Sequence, residues 1–204
     1  MPGKDLNIEK AAALIKEGGM VVFPAKCLYG LAVDAFNPEA VSRIFKLKQR
    51  PPSNPILVLI SDVSWLGQLV ARIPCTAQTI MDHFWPGDVT LVIEAGPDLP
   101  GVLTATTGKI GVRLPQHPVA RALVKAAGIP VTGTSANISG ENGCSRVDEL
   151  DSRVLQGVDM VLDAGILKGG KGSTVVDVSQ FPPMVLRQGK IGEAEILQCV
   201  SGIH

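Results

Sequence analysis

The chain has 204 residues, 46% of them apolar and 19% charged, which excludes a disordered polymer and suffices for a core without disulfide or metal support. Nineteen basic and nineteen acidic side chains cancel, so no overall field steers the chain onto a polyanion, and any nucleic-acid contact has to be a local patch. The 22 Gly and 15 Pro predict short elements joined by many turns.

Asn7 is the first start signal: Ile8, Ala11, Ala12 and Ile15 follow it at helical spacing, and Gly18-Gly19 stop the helix. Met20 to Phe23 reads as a strand ending at Pro24, and Leu28 to Asp34 as the next. Asn37-Pro38 starts a second helix, with an apolar face at Val41, Ile44 and Phe45 and charge at Arg43, Lys46 and Lys48. Beyond the Pro51-Pro52 break come a strand at Ile56–Ile60 and helices at about Val63–Val70 and Thr76–Phe84. Pro86-Gly87 turns into a strand at Val89–Glu94. Ile110–Leu114 is another strand, and Pro118–Ala127 a helix closed by Gly128. A strand at Val131–Thr134 runs into a loop, Ser135–Gly143, followed by a weaker helix at Val147–Leu155. Strands at Met160–Asp163, Thr174–Val178 and Val185–Arg187 complete the series, and Ile191 onward reads as a tail. This alternation predicts one α/β domain, a sheet with helices packed on it and some antiparallel pairing among the late strands.

Apolar runs such as Ile56–Ile60 are too short to span a bilayer, and residues 1–5 hold no hydrophobic segment of signal-peptide type. Cys27, Cys75, Cys144 and Cys199 form no Cys-x-x-Cys pair and read as reduced thiols of a cytoplasmic protein. Gly165 to Ser173 resembles a P-loop, but Gly172 stands where Ser or Thr must meet magnesium, and the segment leads into a strand. Gly133-Thr134-Ser135-Ala136-Asn137 fails as a nucleophile elbow because Asn replaces its second Gly, and His83 and His117 have no supporting context. These two, His204 and the cysteines lack metal-ligand spacing, so no metal site is expected.

Two segments carry chemistry. In a helix Lys48 and Arg50 would lie about 200° apart, but Pro51 pushes Arg50 out of the α region. The exiting chain can then bring both cations to one side, as a clamp for polyphosphate or as simple helix-end charge. Thr132 to Asn137 ends a strand in small donors, at the sheet edge where α/β proteins bind ligands; Ser135 and Asn137 share a side if the chain stays extended, or cap a turn if it does not.

Taken in order, Gly-Gly-Met-Val-Val-Phe-Pro24, Leu28-Tyr29-Gly30-Leu31, Lys48-Gln49-Arg50-Pro51, Asn54-Pro55-Ile56 and Trp85-Pro86-Gly87 form a series. It continues with Gly111-Val112-Arg113-Leu114-Pro115, Thr134-Ser135-Ala136-Asn137, Gly172-Ser173-Thr174-Val175-Val176-Asp177 and Leu186-Arg187-Gln188-Gly189. The series resembles the YrdC-type L-threonylcarbamoyladenylate synthases over about residues 8–192. The resemblance implies a single YrdC-like domain over 1–204, a twisted, mostly mixed sheet with packed helices around an open, positively lined cavity, and a tail too short for the extra C-terminal domain of longer members. It implies synthesis of threonylcarbamoyladenylate from L-threonine, bicarbonate and ATP with release of pyrophosphate, feeding the machinery that modifies tRNA. Magnesium would arrive with the ATP. By the family pattern Lys48, Arg50, Ser135 and Asn137 carry the catalysis, Asn54, Ser173 and Arg187 hold the nucleotide, and Cys27, Tyr29, Arg113 and Thr134 line the amino-acid side.

One departure stands out. Where the family shows Pro-Thr-Asp/Glu-Thr, this chain has Pro24-Ala25-Lys26-Cys27, which removes two hydroxyls and reverses a charge in the segment that lines the family's amino-acid pocket. A related carbamoyl-adenylate enzyme with a different amine substrate is therefore an alternative. The run Arg43, Lys46, Lys48 and Arg50 supports another, a module that binds tRNA or double-stranded RNA without catalysis.

Overall fold

The computed structural model describes residues 7–202; the readings of residues 1–5 and of His204 fall outside them. Helix α1 (Ile8–Lys16) starts where Asn7 Oδ1 accepts the Lys10 N–H at 3.0 Å, and α2 (Pro38–Lys48) starts where Asn37 Oδ1 accepts from Glu39 and Ala40. Each cap serves amide donors that the first helical turn leaves without partners. The buried face of α1 (Ala11, Ala12 and Ile15) packs with α5 (Pro118–Ala127), which Gly128 closes in the left-handed region at φ 67°.

The strands form two mixed sheets where the sequence predicts one. In the first, β1 (Val21–Pro24) lies between β2 (Tyr29–Ala32), antiparallel, and β8 (Met160–Val161), parallel, and β7 (Thr134–Ser135) adds to β2. The second runs β10 (Met184–Arg187), β9 (Thr174–Asp177), β4 (Val89–Glu94), β5 (Lys109–Arg113), β3 (Val58–Leu59), β6 (Val131–Thr132). Strand β1 is buried on both faces. Val22 joins the larger core with α2 and α3 (Cys75–Phe84), while Val21 and Phe23 join α1 and α5.

The expected strand at 131–134 divides at Gly133, between a pair in each sheet. A Cβ at Gly133 would come within 2.8 Å of both Leu57 and Leu59, so glycine allows the chain to cross close to β3. The expected helix at 63–70 is a 3-10 turn, Val63–Gln68; that at 147–155 is a 3-10 turn, Val147–Glu149, followed by α6 (Ser152–Gly157). The four-residue α4 (Gly101–Thr104) has no counterpart in the sequence reading. The expected tail also needs correction: α7 (Glu193–Val200) buries Ile196 and Val200 and packs on α3. No helix among the described residues is long and apolar enough to cross a membrane.

Candidate active site

The six-stranded sheet turns Val89, Leu91 and Ile93 of β4 and Ile110 and Val112 of β5 into the core. Side chains alternate across a strand, so Thr90 and Val92, and Lys109, Gly111 and Arg113, face the other way, as Val175 and Asp177 do on β9. That face is the floor of a cavity of about 680 Å³. Its walls are the segment Ala25–Gly30, the loop from Arg50 to Leu57, Gly133–Ser135 and the β10 residues Leu186 and Arg187. The size is that of a small-molecule site.

Of the residues expected to act, Arg50, Asn54, Ser135, Ser173, Arg187, Cys27, Tyr29, Arg113 and Thr134 all line this cavity. Lys48 and Asn137 do not. The reason is local. Helix α2 ends in a Schellman turn: Gln49 is left-handed at φ 50°, its N–H bonds to the Lys46 carbonyl, and the Arg50 N–H reaches back to Phe45 at 2.9 Å. The turn directs Arg50 to the cavity and leaves Lys48 in the wall, 1% exposed. Its Nζ donates to the carbonyls of Ser135 (2.5 Å) and Asn137 (2.6 Å) and to Asn137 Oδ1 (3.2 Å). The backbone also turns after Ser135, where the Asn137 N–H bonds to the Ser135 carbonyl, so the two side chains diverge. Asn137 Nδ2 donates to Ile138 and Glu141 carbonyls. The two-cation clamp is corrected accordingly: Arg50 faces the hollow, and Lys48 staples the 135–139 turn behind it, its own carbonyl accepting the Ser139 N–H. The basic run forms no continuous stripe either, since Lys48 is buried and Arg43 pairs with Asp159.

Arg50 donates from Nε to Asn54 O (2.9 Å) and from Nη2 to Pro55 O (2.8 Å). Arg187 Nη2 donates to Ser173 O at 3.0 Å, and the Ser173 hydroxyl meets Thr90 Oγ1 at 2.8 Å. Arg113 is 8% exposed, and its Nε finds no acceptor. Among the described residues no carboxylate lies within ion-pair distance of Arg50, Arg113 or Arg187. Burial pushes all three guanidinia below their ordinary values, and Arg187 adds repulsion on Arg50 and Arg113. Burial, with repulsion from Arg50, also lowers Lys48 to about 8.

The Tyr29 hydroxyl is turned away from ligand duty. It donates to Gly165 O at 2.7 Å and accepts from Ala164 N at 3.0 Å, and burial, with Asp163 beside it, raises it to about 12. Cys27 Sγ lies 3.4 Å from Lys171 O, and its carbonyl accepts the Gly169 N–H, which ties the altered segment to the loop before β9. Lys26 forms an ion pair with Asp88, whose other oxygen is 3.5 Å from Lys190. Lys26 lines the cavity, as its place in the altered segment implied; the sequence reading left out Thr90 and the Lys109–Asp177 pair (2.7 Å) as parts of it. Strand alternation in 89–94 and 109–113 signals Thr90 and Lys109 once the core face is known. Among the described residues no cluster of three or more His, Cys, Asp or Glu could hold a metal.

The family model Sua5/YciO/YrdC, described as "Telomere recombination", matches residues 13–189. A threonylcarbamoyl-AMP synthase of Bacillus subtilis is 37% identical over 98% of this chain, and a putative threonylcarbamoyl-AMP synthase of Mycobacterium tuberculosis is 35% identical over 94% of this chain and 88% of its own. The chain spans only 58% of the B. subtilis protein and 59% of a Pyrococcus abyssi relative. The crystal structure of P. abyssi Sua5 complexed with L-threonine superposes with a TM-score of 0.88 at 34% identity, over 95% of this chain and 57% of that one.

Proposed function

We propose, from the premise that the chain belongs to the Sua5/YciO/YrdC family, that it joins L-threonine, bicarbonate and ATP into L-threonylcarbamoyladenylate and releases pyrophosphate. The product would serve the transfer machinery that installs the threonylcarbamoyl group on tRNA, and a cytoplasmic location fits that use and the four free thiols. One observation supports the reading above others: Arg50, Arg113 and Arg187 line a single cavity and none has a carboxylate partner. Arg113 is buried, and a buried cation without a counter-ion is costly; an anionic ligand relieves that cost and takes charge-assisted bonds from the more open Arg50 and Arg187 as well.

In this reading the threonine amine attacks the carbon of bicarbonate, a C–O bond breaks with loss of water, and the resulting carbamate attacks the α-phosphorus through its oxygen. The bond to the bridging oxygen breaks, and pyrophosphate leaves. Such transfers rest on alignment and on stabilising spread negative charge more than on a protein nucleophile. Arg50 takes the charge that develops on the phosphates, and Ser135 donates to the α-phosphate or carbamate. Asn54, Ser173 and Arg187 hold the nucleotide, and Arg113 takes the amino-acid carboxylate as a charge-assisted bond. Cys27, Tyr29 and Thr134 shape the amino-acid side. Lys48 and Asn137 act by positioning Ser135. Asp177, the carboxylate lining the cavity, is tied to Lys109, so Mg²⁺ enters as part of the nucleotide substrate.

Pyrophosphate release by the purified protein should need ATP, threonine and bicarbonate together, and Arg50→Ala should slow it by about 10²–10³. Release at the same rate in that variant removes Arg50 from the chemistry. Steeply salt-dependent tRNA binding without nucleotide turnover would favour the RNA-binding alternative instead.

A further inference from the structure

The end of the cavity that holds Arg113 carries an excess of positive charge. Asp88, 6% exposed, stands behind that end, outside the cavity lining, and it is already shared between Lys26 and Lys190. It offsets the charge of Arg113 at longer range without pairing with it. Lys26 also lines the cavity, with a quarter of its side chain exposed. An ammonium group has three donors. The pair with Asp88 occupies one, and no other acceptor is seen for Lys26 among the described residues. Two cationic side chains thus face the same end of one hollow, each with donors to spare, around a carboxylate too few to neutralise them.

From this we infer that Lys26 is a specificity-determining residue that opens the amine site to amino acids with an acidic side chain, aspartate or glutamate. The inference rests on the proposed adenylate-forming activity and deepens it. The α-carboxylate goes to Arg113 and the side-chain carboxylate to the spare donors of Lys26. The amine stays free to form the carbamate. A hydroxyl side chain satisfies such an ammonium less well than a carboxylate, because only the latter brings compensating charge. Asp88 is then a positioning residue, which holds Lys26 against the cavity floor.

The test is pyrophosphate release with ATP, bicarbonate and either threonine, aspartate or glutamate, read beside the rise in melting temperature that each amino acid produces with ATP present. The wild-type protein should turn over at least one acidic amino acid with kcat/KM within tenfold of threonine, or better. Lys26→Met should lower the acidic-to-threonine ratio at least tenfold through KM, and Lys26→Arg should retain it. An unchanged ratio in Lys26→Met, or turnover of threonine alone, overturns the assignment of Lys26 and leaves the synthase reading standing. Absence of release with all three amino acids overturns both. Should Lys26→Met fold poorly, threonine-only turnover and threonine-only thermal shifts in the wild type still decide against the proposal.

Discussion

Arg113 shows how a single residue can trade stability for ligand binding. Its guanidinium is nearly inaccessible to water and its Nε has no acceptor, so the folded protein bears a desolvation cost that a bound carboxylate offsets. Arg113→Met should therefore raise the melting temperature of the free protein while raising KM for the amino acid by about 10–100-fold, the equivalent of losing one charged hydrogen bond. Thermal unfolding and steady-state kinetics on the same preparation check both halves. Lys48 is the opposite case, a buried cation with every donor used. Its folded value near 8 lies below the unfolded 10.5, so between those limits the unfolded chain binds more protons, and this lysine's share of stability is lowest below pH 8 and rises through the window. Activity should run the other way. A neutral amine has one donor fewer for the carbonyls of 135 and 137, so pyrophosphate release should fall above about pH 8. Lys48→Met should lack that limb and turn over slowly throughout a pH–rate profile.

At the scale of elements, the β9–β10 junction brings Ser173 and Arg187 together because Gly189 lets two backbones touch. A Cβ there would lie 2.3 Å from Gly172 O and 2.4 Å from the backbone of Ser173 and Thr174. Gly189→Ala should push β10 away from β9 and weaken ATP binding more than threonine binding; calorimetric titration of each ligand tests this. Helices with side-chain caps and amphipathic faces were legible in the sequence, since Asn7, Asn37-Pro38 and Gly128 mark their ends through short-range chemistry. The 3-10 turn at 63–68 and the division at Gly133 were not: the chain leaving the turn is tied to the end of β4 by the Ala71 N–H to Glu94 O bond, and Gly133 is set by its close approach to Leu57 and Leu59. Helix α7 was hidden for a similar reason: its N-cap, Gly192, makes no side-chain bond, and its place comes from α3. The motifs named the cavity-lining residues Arg50, Ser135 and Arg187 together with Lys48 and Asn137, which stand in the wall behind them; spacing left the direction of these two open. A left-handed glutamine at 49 and a turn after 135 decide their direction, and neither residue type announces such geometry.

For the whole molecule, the cavity is a product of layering. One sheet supplies the floor with Thr90, Arg113 and Asp177, and the other supplies the rim with Lys26, Cys27 and Ser135, so neither sheet holds the site alone. A ligand spanning both should stabilise the entire fold. ATP at one hundred times its dissociation constant should add about 2.7 kcal/mol. For a domain of this length that corresponds to a rise of about 5–11 °C in melting temperature, readable by scanning calorimetry. The crossing at Gly133 ties this architecture to turnover. A single residue separates the last pair of the lower layer from the first of the upper, and Ser135 follows two positions later. With so short a link, any displacement of one layer against the other would carry that hydroxyl with it and change its distance from the guanidinium at 113.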